Sequence, residues 1–352
     1  MFGKLAALAI TGVLVASLSG CTPPMPPEIL SALAEQEFTC VEGTSVISVP
    51  ASTTDMAPGW QYAAGDACPG MNFEIQFDDA TSADLVFSTS NLDPSLCKSA
   101  VEVPFAVDAG VLVYQHSDGN MFNFSPTLIA KIFSGEISDW SDPAIAEENM
   151  GAVYTAGPIT FLDRAYGPAL ESFNTWMKRL VPDFNAERIQ SGPAIAATDL
   201  FLEEGQIAIV SNSVAMELGL MPAGVINGPD ASVDVIYPDT GSIGSAATQF
   251  DIKAEQNRLT VDYNSANPAL PAPGAEVAQP PYEAVFTAPL HICGEPTLAK
   301  RAAARFILRQ DQQGAMAATY FVPITESIRV SALTVVSEGL TLPSFDPEDY
   351  TG

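Results

Sequence analysis

Short apolar runs with strand character alternate along the chain with stretches whose apolar residues recur every three to four positions, the two patterns that mark strands and amphipathic helices. Ser45 to Val49, Asn72 to Phe77 and Ala83 to Ser88 are enriched in apolar and β-branched residues and bounded by Pro, Gly and Asp, which predicts three strands. Val101 to Tyr114 carries Val103, Phe105, Val107, Val111 and Val113 and reads as two consecutive strands broken at Asp108-Ala109-Gly110. Ser125-Pro126 then opens a helix with Ser125 as N-cap, Leu128, Ile129, Ile132 and Phe133 as its apolar face and Gly135 as its stop. Ile159 to Leu162 predicts a strand, and Pro168 to Leu180 a helix with Leu170, Phe173, Trp176, Met177 and Leu180 on one face. Gln206 to Val210 reads as a strand, and Ser213 to Leu218 and Pro296 to Arg309 as helices. Such alternation predicts an α/β class. Asn264 to Pro281, rich in Asn, Ala and Pro, reads as a loop that separates a long central block from the last α/β portion.

Composition narrows this picture. With 28 Pro and 25 Gly a long-helix bundle is excluded, and 47% hydrophobic residues against 16% charged exclude a disordered chain. A length of 352 residues suits two lobes or domains. Asp+Glu 42 against Lys+Arg 14 gives a net charge of −28, which excludes a protein built to grip a nucleic-acid backbone. His116 and His291 have no Cys or second His at ligand spacing, so neither a metal site nor a catalytic triad is expected. No phosphate-cradling, nucleophile-elbow or zinc-protease motif occurs, and no catalytic residue or cofactor is expected.

Acids in pairs, Asp78-Asp79, Glu147-Glu148 and Glu203-Glu204, are the ordinary solvated faces of an acidic chain. Asp78-Asp79 stands apart because it follows an apolar strand directly, the position of ligand loops in open α/β sheets. Arg164 precedes the helix at Pro168, whose free N–H groups and dipole suit an anion; the alternative is that it pairs with Asp163 or another surface acid. Lys300, Arg301, Arg305 and Arg309 share one helix, and the expectation is an exposed face relieving the acidic field.

The amino terminus is a processing signal in pattern: Lys4 precedes the apolar run Leu5 to Leu18, too short to cross a bilayer comfortably. It closes on Leu18-Ser19-Gly20-Cys21, which resembles the lipobox of bacterial lipoproteins and implies acylation of Cys21. Residues 1–21 are thus expected to be signal and lipobox, and the Pro-rich 22–35 a stiff tether to the outer face of a cell-envelope membrane. Cys40, Cys68, Cys97 and Cys293 remain, an even number that suggests two disulfides in an exported protein, with three pairings open.

The run from Leu128-Ile129-Ala130-Lys131 through Trp140 to Asp142-Pro143-Ala144-Ile145 resembles a signature of phosphate-binding proteins, the extracytoplasmic receptors of phosphate ABC importers. Val103-Pro104 to Tyr114, Ile159 to Arg164, Gly205 to Val210 and Gly314 to Pro323, the last as a closing helix with a Val-Pro end, are similar to further family segments in the same order. The resemblance covers about residues 45 to 325. It implies a periplasmic-binding-protein-like fold of two lobes with a two-crossing hinge: lobe I from 36–109 plus 284–342, lobe II from 110–283, and a tail at 343–352. On that mapping all four remaining cysteines fall in lobe I, and Cys40–Cys68 with Cys97–Cys293 is the preferred pairing.

Family ligand positions carry over to Thr53, Thr54, Ser90, Asn91, Arg164, Gly167 and Ala169, with Asp78 and Asp79 as ligand-loop acids. Where the family has Arg-x-Asp-Gly-Ser-Gly-Thr, this chain has Arg164-Ala165-Tyr166-Gly167-Pro168-Ala169-Leu170, which keeps the arginine and one glycine and loses both hydroxyls. Asn91 replaces a family carboxylate, and Asp55, Asp78, Asp79 and Tyr166 stand where donors are expected. The function implied is a membrane-anchored, monomeric solute receptor partnered with an ABC permease, with a phosphate-like oxyanion as default ligand. The alternatives are a sensory or interaction protein that kept only the scaffold, and a receptor for a different polar or cationic ligand.

Overall fold

The computed structural model describes residues 39–89, 92–118, 121–192, 199–228, 234–272 and 274–342. The signal, lipobox and tether, Ser90, Asn91 and the 343–352 tail lie outside the described residues. The chain opens with β1 (Gly43–Val49), α1 (Ala57–Ala67), β2 (Met71–Phe77), β3 (Leu85–Phe87) and β4 (Ser99–Tyr114). The middle contributes α2 (Pro126–Ser134), β5 (Thr160–Phe161), α3 (Gly167–Leu180), β6 (Gln206–Ser211), α4 (Asn212–Glu217) and α5 (Thr240–Ala247). The hairpin β7 (Phe250–Glu255) and β8 (Arg258–Tyr263) precedes β9 (Val285–Cys293), α6 (Leu298–Ile307) and α7 (Glu326–Val336).

β1 lies between β2 and β3, parallel to both, with α1 as the crossover from β1 to β2. Trp60 of α1 is buried edge-on to Phe105 of β4, so the helix pins its apolar face to the sheet. β4 is one continuous strand of 16 residues where the sequence predicts two. Its first part, through Ala109, pairs antiparallel with β9, and from Gly110 to Tyr114 it pairs with β6 instead. Asp108-Ala109-Gly110 therefore marks an exchange of partners rather than a turn. A Cβ on Gly110 would sit 2.0 Å from the carbonyl oxygen of Ala169, because the first turn of α3 rests directly on the strand. Only glycine allows that approach. The Gly110 N–H donates to the Ala284 carbonyl at 2.8 Å and its own carbonyl accepts the Tyr282 hydroxyl at 3.1 Å, so the returning chain passes beside the outgoing one.

The 250–263 hairpin meets the first part of β4 through Arg258 opposite Glu102. Other expectations need correction. In place of a closing helix, Gln310–Gly314 is a single helical turn, followed by a 3-10 turn and the two-residue strand Val322–Pro323. Nor is the basic face of α6 wholly exposed: Arg301 is 5% accessible and donates to the Val335 and Val336 carbonyls at 3.0 and 3.3 Å and to Glu338 at 2.9 Å. It caps the C-terminal end of α7, where the free carbonyls and the dipole favour a cation.

The signature run is scaffold. Ser125 caps α2 by accepting from the Leu128 N–H at 3.1 Å, and Gly135 ends it at φ 83°. The Trp140 indole N–H donates to the Gly205 carbonyl at 3.0 Å from a fully buried position. Cys40 is bonded to Cys68, and Cys97 to Cys293.

Candidate functional site

A cleft of about 500 Å3 opens between the C-terminal ends of β1–β3 and the β6–α4 turn. One wall comes from the end of β1 (Ser48, Val49) with Pro50 to Ser52, from Asp78 after β2, and from Phe87 at the end of β3 with Ser88 and Thr89 after it. The loop carrying Leu92, Asp93 and Leu96 extends that wall, and Cys97–Cys293 ties the loop to the end of β9. The opposite wall is Tyr166 and the segment from Ile209 through Ser211 and Ser213 to Glu217. Strand ends and a helix start meet here because side-chain-bearing loops of an open α/β sheet gather at the carboxyl ends of its strands.

Three carboxylates line the cleft, Asp78, Asp93 and Glu217, and among the described lining residues there is no lysine, arginine or histidine. Asp78 sits at φ 54° and its Oδ1 accepts the Ala51 N–H at 3.2 Å. Asp93 accepts the Ser95 N–H at 2.8 Å, the bond that holds its carboxyl below the ordinary range. Glu217 is shifted the other way, first by desolvation and then by the negative charge of Asp78 across the cleft.

Behind the second wall stands Asp108, fully buried. Its Oδ1 accepts from the Ala109 N–H at 2.8 Å and the Ser213 N–H at 3.1 Å, and its Oδ2 from the Ser213 hydroxyl at 2.5 Å. Burial pushes its pKa up to about 6 against the opposing pull of these donors. The same carboxylate adds to the burial that pushes the Tyr166 phenol upward. Asp108 thus links the strand that joins both sides of the molecule to the helix start that forms one cleft wall.

Of the sequence-predicted positions, Asp78 and Tyr166 line the cleft. Thr53 and Thr54 spend their hydroxyls on the Pro50 and Ala51 carbonyls of their own turn, at 2.7 and 2.5 Å. Asp79 closes its own turn through the Thr81 N–H at 2.8 Å, and Asp55 is exposed away from the lining. Arg164 is not a lining residue; it is exposed with its Nε 3.9 Å from Asp163, the alternative weighed above. Gly167 borders a separate, more open hollow with Pro168, Glu171 and Lys178, and Ala169 is buried against the Gly110 crossing. Ser90 and Asn91 lie outside the described residues. Sequence reading missed Ser48, Asp93, Asp108, Ser211, Ser213 and Glu217. Ser211-Asn212-Ser213 directly after an apolar strand was the available signal for two of them.

A family model for the PBP superfamily domain matches residues 61–283. The chain belongs to the PBP superfamily. No curated protein sequence matches it. Among solved structures, this PBP-superfamily chain resembles a human phosphate-binding apolipoprotein at 13% identity and a TM-score of 0.51, over 82% of this chain and 93% of the other. A DING protein matches at 14% identity and a TM-score of 0.50, over 82% and 93% of the two chains. An ABC-type phosphate transport receptor from Vibrio cholerae matches at 10% identity and a TM-score of 0.40, over 79% and 99%. At these identities the likeness to the first two establishes a shared fold. No helix among the described residues is long and apolar enough to cross a membrane.

Proposed function

We propose that this PBP-superfamily chain is an extracytoplasmic solute-binding protein of an ABC importer, anchored through acylated Cys21, whose interlobe cleft takes a small polar organic solute in preference to inorganic phosphate. The observation that carries the ligand reading is the cleft lining, with acids on both walls and no cationic side chain among its described residues. Each close pair of like unit charges costs between about 1 kcal/mol in water and about 4 kcal/mol nearer the protein. A phosphate dianion meets that cost at both walls with no cation to offset it. The size of the cleft also falls in the range of cavities that hold organic ligands rather than a single oxyanion.

A second reading, phosphate itself, draws support from the hydroxyls of Ser48, Ser52, Ser88, Thr89, Ser211 and Ser213 around the cleft. It requires the acids to be protonated, so phosphate binding would then strengthen in acid. Calorimetry on the purified protein at neutral pH with phosphate, sulfate, amino acids, sugars and amines tests both. The expected result is saturable binding of an organic solute without measurable phosphate binding, and a submicromolar phosphate dissociation constant would overturn the preference. Replacing Cys21 with Ser should release the protein from the membrane fraction and abolish acyl incorporation, read by metabolic labelling.

A further inference from the structure

Two serines of low accessibility line the cleft from opposite walls. Ser48, near the end of β1, and Ser211, at the end of β6, are each 4% accessible, line the cleft and make no side-chain hydrogen bond among the described residues. Hydroxyls on a cleft lining that are not engaged by the protein are free to bond a molecule held there. The two come from opposite walls, so one molecule between them can meet both.

Asp78 and Glu217 line the same cleft, again one from each wall, and neither is in an ion pair among the described residues. Asp78 uses Oδ1 on the Ala51 N–H and leaves Oδ2 open. Burial first and then the charge of Asp78 hold the Glu217 carboxyl above its ordinary range, and no cationic side chain is among the described lining residues. The lining also carries the apolar side chains of Val49, Phe87 and Val214. Among the described residues no group of three or more His, Cys, Asp or Glu could hold a metal ion.

Resting on the solute-binding reading above, we infer that the solute carries an ammonium group, held between the carboxylates of Asp78 and Glu217, with Ser48 and Ser211 meeting its further polar atoms. An ammonium offers three N–H donors and no acceptor, which matches two carboxylates and a hydroxyl. Its attraction to both walls also replaces their mutual repulsion by a bridge.

Calorimetry on the purified protein at neutral pH decides this, with ethanolamine, putrescine and agmatine as probes, ethylene glycol and butanediol as neutral counterparts, and inorganic phosphate as the anion. At least one amine should bind saturably while its neutral counterpart does not. Asp78→Asn and Glu217→Gln should each weaken that amine about tenfold or more, as expected for a charged hydrogen bond. Both side chains are exposed, so melting curves should show the variants folded. Ser48→Ala and Ser211→Ala should weaken it by a smaller factor. Amine binding unchanged in both acid variants overturns the inference. Binding of phosphate or a diol with no amine binding overturns it too and leaves the solute-binding reading standing. Binding of none of these probes overturns it as well, and the solute-binding reading falls only if the broader panel above also gives no binding.

Discussion

Asp108 shows what a single residue can do in this fold. The sequence presents it as the start of a strand break, yet it is a fully buried carboxyl that holds Ser213 to the crossing strand. Its folded pKa of about 6 lies above the ordinary 3.8, so between these values the folded protein binds the proton that the unfolded chain releases. The stabilisation is therefore fully present below pH 3.8 and is lost as pH rises through about 6, with a span on the order of 3 kcal/mol. Asp108→Asn cannot titrate. The stability difference, variant minus wild type, should rise by that amount between pH 3.5 and 7, read from urea melts along the pH series. Parallel curves would show that Asp108 does not titrate in this range. At this scale legibility was uneven. Asp78 could be singled out because it follows an apolar strand, whereas Glu217 ends a short helix in a stretch with no motif, and its role depends on a wall more than a hundred residues away in sequence.

Elements were more legible where local chemistry alone decides them. Ser125, Pro126 and Gly135 bound α2 as expected because cap, first turn and left-handed stop act within one helix. β4 was misread because its breaker residues serve contacts from elsewhere: Asp108 answers α4, and Gly110 admits α3. α6 and α7 make the same point through reciprocal caps. Arg301 of α6 donates to the last carbonyls of α7, and Arg329 of α7, paired with Glu326, donates to the Leu308 carbonyl at the end of α6. Arg301→Ala should cost about 2–3 kcal/mol by leaving buried carbonyls without a donor. Arg164→Ala, removing an exposed side chain, should leave the melting temperature unchanged. Equal effects of the two in a thermal melt would show that the α6–α7 caps contribute nothing. The disulfides separate in the same way: the entropy of closing a separation of 196 residues against 28 gives about 5 and about 4 kcal/mol, so Cys97–Cys293 should be the costlier to remove.

For the whole molecule, the α/β class follows from the alternation of patterns, and the signature run identifies a scaffold because its Trp140 and α2 are core contacts remote from the cleft lining. A scaffold can persist while a site changes, since the cleft draws on loops from separate parts of the chain and each can vary alone. The net charge of −28 acts at this largest scale, with only 14 basic residues to offset 42 acids. Self-repulsion of that size opposes the compact state, and the same field draws cations toward an acidic cleft while repelling a dianion. Raising the ionic strength from about 0.01 M to about 0.15 M shortens the Debye length from about 30 to about 8 Å, which screens both effects. The melting temperature of the free protein should therefore rise over that range, while the association rate of a bound amine, measured by stopped flow, should fall. The two trends have opposite sign because one is relief of repulsion and the other loss of attraction. A melting temperature that falls with salt would mean that ion pairs such as Arg179 to Glu283, at 2.6 Å, outweigh the net field. An association rate that does not change with salt would mean that the acids of the cleft do not steer the solute.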